Sequence, residues 1–65
     1  MNIDAKLADI WADKAVQALA TVEDPARWIV ANREALAKVD QALPSAFQRV
    51  KAAIKARWDQ LGNRG

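Results

Sequence analysis

Residues 43–62 read LPSAFQRVKAAIKARWDQLG, and their spacing decides the fold. Phe47, Val50, Ile54, Trp58 and Leu61 recur every three or four residues, the period of one face of an α-helix. Leu43-Pro44-Ser45 punctuates the chain just before this stripe. Ser45 followed three residues on by Gln48 predicts a capping box, with Ala46 and Phe47 opening the helix. Gly62 stands one place past Leu61, where a left-handed C-terminal cap belongs. The reading is a helix over 46–61, with Asn63, Arg64 and Gly65 as a frayed tail.

Working back towards the N-terminus, a second break is Thr21-Val22-Glu23-Asp24-Pro25. Asp24 followed by Pro25 reads as an N-cap and first helical residue, because proline lacks an N–H that is unsatisfied there anyway. Thr21 is the alternative cap, with Asp24 three residues on. The helix that starts here is expected over 25–41, with Trp28, Ile29, Ala35, Leu36 and Val39 on one face. Asn32 falls in the middle of that face. A buried amide costs free energy unless it is hydrogen-bonded, so Asn32 either has a defined partner within the fold or meets a partner molecule on an open face.

The first helix is expected over 4–20. At 100° per residue, Leu7, Trp11, Ala15 and Ala18 share a face, flanked by Ile3, Ala8, Ala12 and Leu19. Lys6, Asp9, Asp13 and Gln17 take the opposite one. Asp4 suits the positive end of the helix dipole.

The composition agrees with an all-helical chain. Alanine dominates, only two Gly and two Pro occur in 65 residues, and both glycines lie in the last four. Leu, Lys, Arg, Gln and Glu are further strong helix formers. No alternating run of β-branched residues suggests a strand. No apolar run approaches the ~20 residues of a membrane span, and the first residues lack the basic start and apolar stretch of a secretory signal. The expectation is a soluble protein with no membrane partner, and the absence of Cys fits a cytoplasmic location. A chain this short buries only about 60% of its unfolded surface. With neither Cys nor His it has no disulfide or zinc staple to help.

Charge is uneven. Residues 1–24 carry Lys6 and Lys14 against Asp4, Asp9, Asp13, Glu23 and Asp24, a net of −3. Residues 25–65 carry eight basic residues against Glu34, Asp40 and Asp59, a net of +5. An acidic first helix is therefore expected beside more basic ones, either complementing them inside the bundle or leaving a basic docking surface.

The residue inventory argues against catalysis. Without His, Cys or Tyr, most common proton shuttles and nucleophiles are missing. Ser45 has no imidazole beside it in sequence and is better explained as a cap. No zinc ligand set, Ca²⁺ loop or Gly-rich phosphate loop occurs. Asp9 and Asp13 share a helix face at i,i+4, which reads as a solvated acidic face rather than an acid–base pair. The expectation is a protein that is not an enzyme and has no catalytic residue, metal site or cofactor.

Nucleic-acid binding is the alternative. The last helix carries Arg49, Lys51, Lys55 and Arg57, and two helices joined by a short turn are the skeleton of a helix-turn-helix unit. The four basic residues are nonetheless spread around the helix, and only Ser45, Gln48 and Arg49 suit base readout near its N-terminus. Trp11, Trp28 and Trp58 fall on or beside the apolar face of three different helices. They read as a converging core, although Trp is also a common interface anchor. Val16, Val30 and, marginally, Ile10 fall outside the main stripes.

The fold expected is a small antiparallel three-helix bundle. Its core would be Leu7, Trp11, Leu19, Trp28, Ile29, Leu36, Val39, Phe47, Val50, Ile54, Trp58 and Leu61. The function expected is a protein-interaction domain with another protein as partner, and Trp28, Asn32, Lys51 and Lys55 are the candidate partner-binding residues. Other readings are a DNA-binding domain using the last helix, a homodimer that completes its core by association, and a designed or structural bundle with no ligand.

The segment Trp28–Leu61 also resembles the helical tail that follows the core of some phage and prophage single-strand annealing recombination proteins. The residues that carry the likeness are Trp28, Asn32 and Leu36 (W-x3-N-x3-L), then Pro44, and then Phe47, Val50, Arg57 and Leu61 (F-x2-V-x6-R-x3-L). It covers about half the chain. The resemblance implies a docking module for recombination or replication proteins. It brings no annealing core, and with it no annealing activity and no residue-level site.

Overall fold

The computed structural model describes residues 3–62. Among them are four helices and no strand: α1 (Ala5–Leu19), α2 (Pro25–Ala31), α3 (Arg33–Ala42) and α4 (Pro44–Gly62). The expected first helix is α1, opened by Asp4, whose carboxylate accepts from the Leu7 N–H at 2.9 Å. It closes at Ala20 and Thr21, whose N–H groups bond three residues back to Gln17 and Ala18, the tightening usual at a helix end.

The helix expected over 25–41 is divided in two. Its start is as read: Asp24 caps through the Arg27 N–H at 3.2 Å, and Pro25 takes the first turn. The break falls at Asn32, whose backbone sits at φ −113°, ψ 16°, outside the helical region. The Asn32 Nδ2 donates to the Trp28 carbonyl at 2.9 Å. A short amide side chain that competes for the backbone of the preceding turn is a recognised cause of a helix break. Asn32 thus ends α2, while its own carbonyl accepts from Leu36 at the start of α3.

Both ends of the last helix need correction. It begins at Pro44, not Ala46, and the Leu43 carbonyl receives the N–H groups of Ala46 and Phe47 at 2.9 and 3.3 Å. Leu43, extended at φ −154° and ψ 88°, is held out of the helical region by the proline that follows it. Pro44 then starts the new helix, where its missing N–H is no loss. Ser45 therefore lies inside α4 and the capping box does not form. Gly62 is likewise still helical, and no described glycine has a positive φ, so the left-handed cap expected there is absent. The expected frayed tail, Asn63–Gly65, lies outside the described residues.

α1, α3 and α4 pack on one another, and α2 rests against α3 and α4. Arg49 of α4 reaches Asp9 and Asp13, and Arg57 reaches the Val22 carbonyl beyond the end of α1, so α1 and α4 run in the same direction with α3 returning between them. The buried core is Ala8, Ala12, Ala15, Leu19, Leu36, Val39, Ala46, Val50 and Ile54. Alanine therefore supplies most of the α1 face, because small side chains let two helix axes approach closely.

The expected core is corrected accordingly. Leu7 is 50% exposed and Trp58 46% exposed, while Trp11, Trp28, Ile29, Phe47 and Leu61 are half-buried. Nor do the three tryptophans converge. Trp11 and Trp28 pack tilted at 40°, with ring centroids 6.0 Å apart, within the range of favourable aromatic pairs. Trp58 instead lies on the surface. Among the described residues no helix is long and apolar enough to cross a membrane.

Candidate functional site

The uneven charge is spent partly inside the fold. The Arg49 guanidinium bridges both α1 carboxylates, one nitrogen on Asp9 and the other 2.9 Å from Asp13. Asp9 and Asp13 are thus not merely a solvated acidic face; at i,i+4 they form a fork that receives one arginine from α4. The three side chains remain 44–61% exposed, so solvent screens the pairs and their contribution is modest. Arg49→Ala is expected to lower the unfolding free energy by about 0.2–1 kcal/mol. Urea titration at low and high salt checks this, with the difference between variant and parent shrinking at high salt.

Arg57 is engaged as well. Its Nε donates to the Val22 carbonyl at 2.7 Å and its Nη1 to Gln60 Oε1 at 3.0 Å. It thereby ties the α1–α2 connection to α4. Two of the four basic residues of the last helix are therefore committed to contacts within the fold.

Lys51 and Lys55 lie elsewhere, on an apolar groove between α4 and the α2–α3 arm. Its lining is Ile29, Leu36, Phe47, Lys51, Ile54, Lys55 and Trp58, around an open volume of about 350 Å³. The α4 contribution follows from helical spacing: Phe47, Lys51, Ile54 and Trp58 are separated by four, three and four residues and share one side of the helix. The Lys51 ammonium stands 5.7 Å from the Phe47 ring centroid, a cation–π distance. Neither lysine is in an ion pair with a described carboxylate. The lining contains no acidic residue.

The four candidate partner-binding residues do not form one cluster. Lys51 and Lys55 line the groove together. Trp28 packs on Trp11, and Asn32 holds the α2–α3 break and lines a separate open depression with Val30, Arg33, Glu34 and Lys38. The groove residues that sequence reasoning assigned to the core but that remain partly or largely exposed are Trp58, Phe47 and Ile29, whereas Leu36 is buried as expected and only borders the groove. A signal existed. α4 offers five large apolar side chains, whereas the buried face of α1 is mostly alanine, leaving more apolar surface on α4 than its neighbours cover.

The class defined by these observations is a small all-helical domain with a lysine-edged apolar groove. Compared with protein-family models, curated proteins and solved structures, the chain shows no match.

Proposed function

We propose that this chain is a non-enzymatic protein-interaction domain, a three-helix bundle whose middle arm is kinked at Asn32, and that the groove between α4 and that arm is its docking surface. The observation that carries the reading is Trp58, 46% exposed at the edge of a groove whose lining is apolar apart from two lysines. An indole left open in so small a domain is the kind of anchor that dominates protein interfaces. The resemblance of Trp28–Leu61 to annealing-protein tails supports a partner in recombination or replication, and a cytoplasmic setting suits such a role.

The test is peptide display against the immobilised chain, followed by amide NMR titration of an enriched peptide. The expected shifts concentrate at Ile29, Leu36, Phe47, Ile54 and Trp58, and Trp58→Ala weakens binding about tenfold. The DNA-binding alternative has Lys51 and Lys55 in its favour, but Arg49 and Arg57 are occupied within the fold. It predicts affinity for a DNA duplex that falls steeply with salt. Such binding, with no peptide enriched, would establish it in place of docking.

A further inference from the structure

We infer that the partner of this groove is an acidic amphipathic helix, about three turns long, with apolar anchors on one face and Asp or Glu along its flanks. This rests on the reading of the groove as a docking surface and specifies what docks there.

The sign of the partner follows from charge complementarity. Lys51 and Lys55 are the charged residues of the lining, no carboxylate accompanies them, and neither is ion-paired with a described acid. An apolar segment carrying basic flanks would meet like charge at both positions, and one carrying acidic flanks would meet opposite charge. The contrast with Arg49 sharpens the point: among the described residues Asp9 and Asp13 pair with Arg49, whereas no ion pair forms to Lys51 or Lys55.

The helical form follows from the shape. Every described element is helical, so no sheet edge is present for an extended peptide to join. The groove runs beside α4 from Phe47 to Trp58, eleven residues, or about 16 Å at 1.5 Å each. A helix laid along it would present its own residues at i, i+4, i+7 and i+11, the spacing that Phe47, Lys51, Ile54 and Trp58 themselves have.

Three synthetic 16-residue helical peptides provide the test. Each carries leucine at positions 1, 5, 8 and 12; the remaining positions are Ala with Glu in the first, Ala with Lys in the second and Ala with Gln in the third. Titrations followed by calorimetry and amide NMR are expected to show one-to-one binding of the Glu peptide at the groove. The double variant Lys51→Glu/Lys55→Glu should lose about tenfold of that affinity and bind the Lys peptide instead. Both lysines are exposed, so the fold should tolerate the change, and Lys51→Gln/Lys55→Gln provides a milder form if it does not.

If the Gln or Lys peptide binds the parent as tightly as the Glu peptide, the acidic partner is overturned while the docking surface survives. If no peptide moves the groove amides, the docking reading falls with it. Two further outcomes overturn the proposal by naming another occupant. One is a dimer in sedimentation velocity whose dissociation exposes Trp58. The other is binding of oligothymidylate, abolished by the charge reversal, with no response to any peptide.

Discussion

Leu19→Ala is expected to remove about 2–5 kcal/mol of unfolding free energy, a large share of what this domain has. Leu19 is fully buried at the end of α1 and is one of the three largest fully buried side chains, with Val39 and Val50. Truncating it loses the transfer free energy of the removed carbons and leaves a cavity that a close-packed neighbourhood relaxes only in part. The total available is small. At about 0.05–0.15 kcal/mol per residue, a chain of this length has roughly 3–10 kcal/mol, and there is no disulfide to supplement it. Urea unfolding followed by circular dichroism should show a midpoint far below that of the parent, or a chain already partly unfolded in buffer. A loss under about 1 kcal/mol would mean that the end of α1 does not close the core as described.

Much of the fold was legible because helix boundaries here depend on local chemistry. Asp4, the Asp24-Pro25 pair and the Leu43-Pro44 step each act on the next turn alone, so a reader of the sequence can find them. The details that failed required knowledge of competing local options. Ser45–Gln48 is a sound capping pattern, but Pro44 can start a helix by itself and does so two residues earlier than the box predicts. Asn32 was recognised as an amide needing a partner; that the partner would be the carbonyl of its own preceding turn, splitting the helix, depends on backbone geometry that periodicity does not encode.

The site was less legible for a different reason. Periodicity shows the four basic residues of α4 to be spread around the helix, but where Arg49 and Arg57 find acceptors is tertiary information. Asp9 and Asp13 lie 36 or more positions away in sequence from the arginine they hold. Trp58 was assigned to the core because it continues the stripe of Phe47, Val50 and Ile54. A stripe tells which side of a helix is apolar, and not how far along it a neighbour reaches. Here the α2–α3 arm leaves the edge of the stripe at Trp58 open.

The opposite error, on α1, yields a test with large and opposed outcomes. Size-weighted periodicity puts Leu7 in the core and leaves Ala12 on its flank. In the structure Ala12 is fully buried, while Leu7 is half-exposed. α1 packs on α4, and on α3, through a buried face of Ala8, Ala12, Ala15 and Leu19, spaced by four, three and four residues. Close approach of packed helices selects small side chains, and hydrophobicity alone does not reveal that selection. Ala12→Leu should therefore destabilise by about 1–3 kcal/mol, since three extra carbons must push apart a well-packed seam. Leu7→Ala should cost well under about 1 kcal/mol, since half the side chain is already in water and alanine is the better helix former. Urea unfolding of the two variants side by side decides the matter. A Leu7→Ala loss larger than that of Ala12→Leu would turn α1 about its axis and place the bulkier face inside. The predicted order means that the bundle is held together along α1 by the closeness that alanine permits, leaving the large apolar side chains of α4 that α1 does not cover to line the groove.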